Sequence, residues 1–559
     1  RREIIMYRAA HVFFTSSVSD DVLSMIRGKR SLMKRLRTLK ELNLDFLIYE
    51  SQFYHTAMKN SFDCFFPSGG LAGSSSSSTS QMGGASQKQV ALMVEIARRV
   101  GTLCVTLGER PLVFAQHSSP LAQALAERVD QQLHDLHETN PNFPPKSERD
   151  QASLFIIDRS FDASAPLLHE FTYGAMCYDL LDVDVENASF TRQITTSTNE
   201  KRESTAILDA AKDSIWAQFR NQHIDVVRKD LVKAYKEFIE AHKKTKDFQQ
   251  RMGKLSKGAK GLQELSEVAQ SVPHYQDMIG KYSLHISLAS ALMDELERRY
   301  LIKLARVEQD LVMGTSKNPL ADVEKACESP TSPEPEDIAR LLGIYAVSQS
   351  LRSSSDLQKL LDKYANKMSA AHVVAIQNLP ALGIKLSQKH NQKARAKLAE
   401  SASSSKKLKK SKRRKNKSPQ PYEISRYTPE LKFALDDYIS AGGALLPNTP
   451  FTTIGQFTEK HAKIAKSGGA SSSTAEKKAN RKSNWAKNRK STKSGGGASD
   501  VVTGSSYQGG RIIVFVVGGA TMSELRAVHE LIEHKNYEIY LGSTHLLTPS
   551  MFLEQLSTC

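Results

Sequence analysis

The stretch LFIIDRSFDASAPLLHEFTYGAMCYDLL, residues 154–181, decides the fold of this chain. It opens with four apolar residues, Leu154 to Ile157, a run that is too short for a helix and too apolar for an exposed strand. This pattern predicts a strand that is buried on both faces of a parallel sheet and that ends at Asp158. From Pro166 onwards the apolar residues recur at helical spacing, with the proline in the first turn. The stretch therefore joins an α/β pattern before it to a helical pattern after it.

The residues that precede this stretch alternate between strand and helix patterns. Such alternation is typical of right-handed crossovers and a parallel sheet. Ser119 is the candidate N-cap of the helix that begins at Pro120. The predicted strands cover residues 10–15, 44–50 and 112–115, and the predicted helices cover residues 22–39, 90–107 and 120–136.

After residue 181 the pattern becomes helical, and the sequence predicts a large helical block without strands. Pro273 interrupts one long tract, and an internal proline removes a backbone donor, so we expect a kink or break there. The predicted helical tracts cover residues 214–242, 261–302, 303–312, 337–347, 356–367 and 429–439.

Strand signal returns near the C-terminus, in a complete βαβ unit. The run IIVFVV at 512–517 predicts a buried strand, and Thr521 and Glu524 have the spacing of a capping box for the next helix. Residues 537–541 predict another strand, and Thr548 is the candidate N-cap of a final helix. This unit joins the sheet of residues 154–158 most economically, which predicts a discontinuous α/β domain with the helical block inserted in it.

The net charge of +17 would by itself indicate nucleic-acid binding, but the positive charges are concentrated in two short tracts. Nine Lys/Arg lie in residues 406–417 and eight more in residues 477–493, which together account for the whole excess. Both tracts lie among Ser, Gly and Asn, a composition typical of solvated insertions, as is the Gly/Ser-rich stretch 68–87. The folded body is therefore close to neutral.

The cysteines indicate a reducing, cytosolic setting without a disulfide framework or a zinc module. They are odd in number, scattered, and never spaced C-x-x-C. No apolar run approaches the ~18–20 residues that span a bilayer. The five cysteines are Cys64, Cys104, Cys177, Cys327 and Cys559.

Candidate catalytic residues occur at strand ends, but a structural role fits each of them better. Gly518 and Gly519 could offer backbone donors to a phosphate, yet neither G-x-G-x-x-G nor G-K-[ST] is present, which favours a tight turn. Asp158 and Asp162 flank Arg159, and we expect an internal ion pair that fixes the turn. Ser543-Thr544-His545 has no nucleophile elbow. The sequence predicts no catalytic, cofactor or metal site.

The helical block suggests binding instead. Apolar residues on the long tract near Pro273 could dock a partner helix by groove packing, or could pack on their own neighbours. These positions include Tyr275, Ile279, Tyr282, Ile286 and Leu292.

A set of segments along the chain carries a resemblance to a known family. They include AHVFFT, DFLIYESQ, LFIIDRSFDASAPLLHEFTYGAMCYDLL, VPHYQDMIGKYSLH, KLARVEQDLVMGT, ISRYTPELK, VVGGATMSELR and YEIYLGSTHLLTP. In these segments the sequence resembles the SM (Sec/Munc) family, and in particular its exocytic, syntaxin-binding branch. The segments occur in the family's order from Tyr7 to the C-terminus, apart from the low-complexity insertions.

The resemblance implies a fold that combines α/β and all-α parts: an arch of three domains, with parallel α/β sheet domains and a large inserted helical domain. Domain one is here a C-terminal remnant, and because Arg1 stands in place of Met we expect the chain to be a fragment. The helical domain carries a hairpin near 260–300, and 466–508 is expected to be a disordered insertion. The implied domains are 1–43 for domain one, 44–163 with 446–559 for domain two, and 164–445 for domain three.

The resemblance also implies a function without enzymatic activity or cofactors. The family binds syntaxin-type SNAREs, engages the vesicle SNARE and the assembled SNARE complex, and regulates docking, fusion and exocytosis from the cytoplasm, peripherally at the plasma membrane. Its pocket for the syntaxin N-terminal peptide matches Leu23, Leu36, Leu39 and Glu41. Its hairpin SNARE-binding region matches Glu264, Pro273 and Ile286, with the hinge at the proline.

Two alternatives remain open at this stage. The chain could be an α/β nucleotide-binding or hydrolytic enzyme that uses the strand ends at Asp158 and Gly518. It could also be a basic factor that binds RNA or a membrane surface through residues 406–417 and 477–493. The family resemblance requires no nucleic acid.

Overall fold

The structure, a computed structural model, describes most of the chain. Both basic tracts and the predicted insertion at 466–508 lie outside the described residues, as do residues 68–85 of the Gly/Ser-rich stretch. The described residues are 7–15, 18–42, 44–67, 86–145, 149–195, 201–241, 259–328, 333–349, 354–383, 424–455 and 510–559, and their side chains are described except at 193–195, 201–202, 259–273, 349 and 354.

Within the described residues, the strands form one large sheet and three small ones. The large sheet has the order β10-β5-β6-β11-β13-β4-β3; its inner pairs are parallel, and the edge strands β10 and β3 are antiparallel to their neighbours. The strands are β1 (Ala10–Phe14), β2 (Leu36–Glu41), β3 (Leu47–Glu50), β4 (Phe53–His55), β5 (Leu112–Gln116), β6 (Ser153–Asp158), β7 (Val183–Asp184), β8 (Ser189–Thr195), β9 (Lys201–Ile207), β10 (Phe451–Ile454), β11 (Ile512–Val517), β12 (Ala520–Thr521), β13 (Ile539–Ser543) and β14 (Leu546–Leu547).

The centre of the large sheet confirms the predicted joining of distant segments. β6 pairs with β11 in parallel, with Phe155 opposite Val514, and every residue of both strands is buried. The unbroken apolar runs are explained by this position, because a central parallel strand has helices on both faces and presents no side to water. The helical block therefore lies between β6 and β11 in the sequence, although the two strands are neighbours in the sheet. The boundaries at 43, 163 and 445 stay predictions.

Helices make up most of the remaining described residues. α4 and α5 pack together beside the sheet, and α16 connects β12 to β13. The helices are α1 (Asp20–Gly28), α2 (Arg30–Met33), α3 (Phe62–Phe65), α4 (Gln87–Leu107), α5 (Pro120–Thr139), α6 (Tyr173–Leu180), α7 (Ser214–Phe219), α8 (Ile224–Ala241), α9 (Ala259–Arg298), α10 (Leu301–Val312), α11 (Pro319–Cys327), α12 (Pro335–Gln349), α13 (Ser354–Tyr364), α14 (Ala370–Asn378), α15 (Glu430–Ser440), α16 (Met522–Lys535) and α17 (Pro549–Ser557).

Helix starts with polar caps are confirmed, but the helix predicted at Pro166 is not. The side chains of Ser119, Thr521 and Thr548 each accept a backbone N–H of the first turn, and Thr521 completes the capping box. The helix after β6 begins only at Tyr173. The residues around Pro166 form turns, in which Asp162 Oδ1 accepts the N–H groups of residues 164 and 165. Because the Asp162 carboxylate accepts these N–H groups in a turn, its hydrogen bonds compete with those of a helix.

Two predictions of helix were wrong because strands form there. Residues 36–39, expected to end the helix predicted over 22–39, belong to β2, which pairs in parallel with β1. Residues 183–184, 189–195 and 201–207, inside the supposedly strand-free block, form the antiparallel sheet β7-β8-β9. Its strands are mostly polar, and Thr191 Oγ1 bonds Thr205 Oγ1 across the pair at 2.9 Å. Pairing with a neighbour, rather than burial of a face, stabilises both segments, and apolar periodicity does not report pairing.

Candidate functional site

Three of the four residues predicted to bind a syntaxin N-terminal peptide share one face of the β1–β2 pair. Partner residues in a parallel pair lie on the same face, and the bulge in this pair keeps Leu36 and Leu39 on one face although they are three residues apart. Leu23 lies on α1, in the connection between the strands, so the strand register does not join it to the others. The pairs on this face are Ala10 with Leu36, Val12 with Leu39, and Phe14 with Glu41.

The face is accessible, and its acidic residue already has a bond. Leu39 is 43% exposed, while Leu23 and Leu36 are half-buried. Glu41 is exposed, and its Oε1 accepts the backbone N–H of Val18 at 2.8 Å. This bond ties the loop after β1 to the end of β2. The second carboxylate oxygen can accept a further bond.

The helical hairpin is built from α8 and α9 rather than from two limbs that meet at Pro273. Stacked and tilted rings hold the pair: Phe238 lies 5.6 Å from Tyr275, and Tyr235 lies 5.4 Å from Tyr282, measured between ring centroids. The residue later in α8, Phe238, contacts the residue earlier in α9, Tyr275, so the two helices are antiparallel. Their connection, residues 242–258, lies outside the described residues.

The expected break at Pro273 is wrong, because α9 runs without interruption for 40 residues. An internal proline costs a helix ~3 kcal/mol or more, but it removes only one hydrogen bond, so neighbouring turns and packing can carry the helix through. The side chains of Glu264 and Pro273 lie outside the described residues. Ile286 is half-buried and packs against the core. The structure therefore places all three predicted hairpin residues on one helix.

A buried polar relay that the sequence analysis missed fixes α9 against α6 and α7. Tyr173 Oη lies 2.8 Å from His285 Nδ1, and His285 Nε2 lies 3.0 Å from Asp213 Oδ2. Asp213 also caps α7 by accepting the N–H groups of Ile215 and Trp216. Burial alone would raise the pKa of Asp213, but the bond to His285 outweighs it and holds this pKa below its ordinary value. The only sequence signal was a histidine on the apolar stripe of a helix.

The strand-end carboxylates serve a buried network. Arg159 and Glu524 form a bidentate pair, with Nη2–Oε1 at 2.5 Å and Nη1–Oε2 at 3.0 Å, and both side chains are fully buried. The expected ion pair of Arg159 with its flanking aspartates is therefore wrong. Asp158 instead bonds the hydroxyl groups of Ser119 and Ser160, and burial raises its pKa.

Asp162 connects this network to the segment before α15. Its carboxylate accepts the Tyr427 hydroxyl at 2.5 Å and the backbone N–H of Glu430 at 3.0 Å. Arg159 Nη2 donates to the Asp162 backbone carbonyl at 2.7 Å. Hydrogen bonds between segments that are distant in the sequence thus surround the C-terminal end of β6.

The glycine pair after β11 makes a tight turn, as predicted. Gly518 and Gly519 both have φ of +94°, which disfavours any other residue. A Cβ atom at Gly518 would lie 2.8 Å from the Phe66 ring, and one at Gly519 would lie 2.9 Å from Leu547 Cβ. Neighbouring side chains therefore pack closely against both glycines.

The serine and histidine after β13 are also structural. Ser543 Oγ donates to the backbone carbonyl of Val516 at 2.9 Å, which removes it from the role of a nucleophile. Burial lowers the pKa of His545 to about 4, and its Nε2 lies 2.9 Å from Gln555 Nε2. In the part of the chain that the structure describes, no group of three or more His, Cys, Asp and Glu side chains could hold a metal ion.

A second charged cluster joins the segment after β6 to the helical block. His169 Nδ1 lies 2.7 Å from Glu308 Oε1, and its Nε2 lies 3.3 Å from Asp337 Oδ1. Burial and Arg340 would lower the pKa of His169, but Glu308 and Asp337 outweigh them and raise it to about 9. The imidazole is therefore protonated near neutral pH. Arg340 forms a buried ion pair with Asp179 at 2.7 Å.

Comparisons with known proteins decide the family. The family model described as Sec1 family matches residues 1–555. The chain belongs to the Sec1 family, the SM (Sec1/Munc18) family whose segments it resembles. It is 31% identical over 562 residues to "Protein transport protein sec1" of Dictyostelium discoideum, covering 99% of this chain and 83% of that protein. It is 29% identical to "SNARE-interacting protein KEULE" of Arabidopsis thaliana, covering 99% and 81%.

Solved structures of SM proteins share the fold. The Unc18–syntaxin 1 complex from Monosiga brevicollis superposes with a TM-score of 0.69 at 22% identity, covering 100% of this chain and 84% of that one. The SM protein Vps45 in complex with the Qa SNARE Tlg2 gives a TM-score of 0.66 at 18% identity, covering 98% and 81%. The predicted fold class, the SM arrangement of a parallel α/β sheet with helical parts, is confirmed. None of the helices within the described residues is both long and apolar enough to cross a bilayer.

Proposed function

We propose that this chain is a non-catalytic protein that binds syntaxin-type SNAREs and regulates SNARE complex assembly in vesicle docking, fusion and exocytosis. The observation that carries the proposal is membership of the Sec1 family along nearly the whole chain, with a relative that is named for SNARE interaction. The packed strand ends support the non-catalytic part, because Asp158 is buried and bonded to Ser119, and the Phe66 ring packs closely against Gly518. The protein would act in the cytoplasm, peripherally at the plasma membrane through its SNARE partners.

The N-terminal strand pair is the proposed site for the syntaxin N-terminal peptide. Leu36, Leu39 and Glu41 lie on one face there, with Leu23 on the adjoining helix. Aliphatic side chains would bury an apolar anchor of the peptide, worth ~25 cal/mol per Å² of apolar surface. The free oxygen of Glu41 would accept a backbone or side-chain donor of the peptide.

The α8–α9 pair is the proposed site for the vesicle SNARE and the assembled SNARE complex. A continuous helix of 40 residues is ~60 Å long and offers a surface along which a second helix can lie. Glu264, Pro273 and Ile286 lie along this helix. Because α9 is continuous here, we infer that partner helices meet it in its extended form.

The test is a binding titration with the cytosolic part of the host's syntaxin-type SNAREs. We expect saturable binding by the full chain and at least a tenfold loss, about 1.4 kcal/mol, for Leu39→Asp. Leu446→Asp is the matched control, because Leu446 is 47% exposed and Leu39 is 43% exposed. Equal SNARE affinities for Leu39→Asp and Leu446→Asp would contradict the proposed N-terminal peptide site.

The same titration separates the alternatives. A chain that retains no syntaxin-type SNARE, even at low salt, would contradict SNARE binding. Deletion of both basic tracts should leave SNARE binding intact, whereas a factor that acts through RNA or lipid would lose its function. Saturable nucleotide turnover that depends on Asp158 would favour the enzyme.

A further inference from the structure

A cavity of about 500 Å³ lies where the α/β and helical parts meet. Its wall combines Ser523, Arg526 and Glu530 of α16 with residues of the segment after β6, the start of α8, α10 and the segment before α15. Small-molecule sites in proteins have ~300–1,000 Å³ and are common at domain interfaces. None of the residues that line the cavity belongs to the N-terminal strand pair, to α9 or to the described aromatic contacts of α8 with α9.

Two neutral side chains bring hydrogen-bonding groups to this wall. Gln309 is buried, and its Oε1 accepts the N–H groups of Arg426 and Tyr427 at 3.0 and 2.8 Å. These bonds fix the amide, whose NH₂ group supplies further donors. Ser425 Oγ is buried without a hydrogen-bond partner among the described residues. Leaving a buried hydroxyl without a partner is unfavourable, so a ligand that bonds it gains affinity.

Arg526 contributes donors without contributing net charge. Its Nε donates to Glu170 Oε1 at 2.5 Å and its Nη1 donates to Glu530, while Nη2 adds two more N–H groups. Glu530 also pairs with Lys432. Two carboxylates thus balance one guanidinium and one ammonium, and burial lowers the pKa of His223 on the same wall, which keeps that imidazole neutral near pH 7.

His169, also on the wall, belongs to a second balanced group. Its positive charge and that of Arg299 face the carboxylates of Glu308 and Asp337. The wall therefore carries strong local dipoles and no net charge. An anion would therefore lie close to Glu170 and Glu530 as well as to Arg526, and a cation would lie close to Arg526 and His169 as well as to these carboxylates.

We propose that this cavity binds a neutral small molecule of the carboxamide or heterocyclic amide class. The ligand's carbonyl oxygen would accept from Gln309 and Arg526, its N–H would meet Ser425 Oγ, and its ring would contact Leu168 and Val226. A charged ligand would have to enter the same space without a counter-ion, since the wall's charges are already paired, and burying an unpaired charge is costly.

The test uses three probes of one shape and different charge: nicotinamide, the anion nicotinate and the cation 1-methylnicotinamide. Saturation-transfer NMR with the full chain should show nicotinamide binding at least about tenfold tighter than either ion. Val226→Phe, which fills the cavity, should weaken nicotinamide about tenfold or more, and Ser425→Ala should weaken it severalfold.

Val232→Phe is the matched control, because Val232 lies on the same helix and is 42% exposed. It should bind nicotinamide as the wild type does. Nicotinate or 1-methylnicotinamide binding as tightly as nicotinamide would overturn the proposal. So would the absence of nicotinamide binding to the folded wild type, or undiminished binding by a folded Val226→Phe. Ser425→Ala lies outside both proposed SNARE sites and should leave SNARE binding unchanged, which keeps this test separate from that of the proposed function.

Discussion

The seven-stranded sheet and the N-terminal strand pair both contain parallel strands, but they differ in burial. Every residue of β6 and β11 is buried, whereas no described residue from 7 to 42 is. Phe13 in β1 and Met25 in α1, a helix in the connection between the two strands of the pair, are 53% and 63% exposed. The comparison teaches that burial is unevenly distributed in this fold: the sheet buries its side chains and so stabilises the folded state, whereas the strand pair leaves apolar side chains exposed, where we propose that a partner binds.

The largest expected difference is between two phenylalanines. Phe155→Ala, in the centre of β6, should cost ~3–5 kcal/mol because it removes a large buried ring and leaves a cavity. Phe13→Ala, in β1, should cost ~0.5 kcal/mol or less because the ring is already half in water. Urea unfolding monitored by circular dichroism measures both. Similar losses for the two variants would contradict the stabilising role given to the sheet.

Charged residues should show the same contrast. Arg159→Met leaves Glu524 buried without its partner, which should cost ~3–5 kcal/mol. Arg298→Met is the control, because Arg298 forms its ion pairs at the surface and its loss should not be measurable. The double variant Arg159→Met/Glu524→Leu should recover much of the loss in the same unfolding assay. A double variant as unstable as the single one would show that Arg159 acts through other contacts.

The His169 cluster should make stability depend on pH. The folded state holds the His169 proton with a pKa of about 9, above the ordinary 6.5, so the stabilisation is complete below pH 6.5 and is lost as pH rises through 9. The loss should be on the order of 3 kcal/mol. Unfolding at pH 6.5, 8 and 9.5 measures this slope. His169→Gln should flatten it, and His11→Gln, on exposed β1, should leave it unchanged. A slope that survives His169→Gln would assign it to another group.

Helix caps give the smallest expected difference. Ser86 Oγ accepts the N–H of Gln89 at 3.1 Å, so Ser86→Ala should cost ~1 kcal/mol. Ser19 stands at the N-cap of α1 without a side-chain cap bond, so Ser19→Ala should change stability by no more than ~0.3 kcal/mol. Thermal unfolding of the two alanine variants measures the difference. Equal effects would mean that Ser19 caps α1 in solution.

Sequence reasoning predicted the buried half of this comparison well. β6, β11 and their pairing followed from apolar runs, and the caps at Ser119 and Thr521 followed from local spacing. These features depend on neighbouring residues or on complete burial, both of which leave a clear pattern. The N-terminal half was harder, since β2 was predicted as helix and is stabilised by pairing with β1.

Features that depend on distant partners could not be predicted from the sequence. Arg159 pairs with Glu524, which lies 365 residues away, and no local pattern distinguishes it from the nearer aspartates. Pro273 has a strong local preference, but packing against α6, α7 and α8 stabilises the uninterrupted helix. The cavity beside Arg526 is assembled from five segments and leaves no trace in any one of them. For the proposed peptide site, the family resemblance supplied Leu36, Leu39 and Glu41. The strand pairing that places them on one face was not predicted.

Hydrogen–deuterium exchange of the full chain, with and without the cytosolic part of a syntaxin-type SNARE, tests the central claim most directly. The account predicts that the SNARE slows exchange in residues 10–42 and along α8 and α9. The amides of β6 and β11 should exchange as slowly with the SNARE as without it. Unchanged exchange everywhere at saturating SNARE, or protection confined to the ends of β6 and β11, would contradict it.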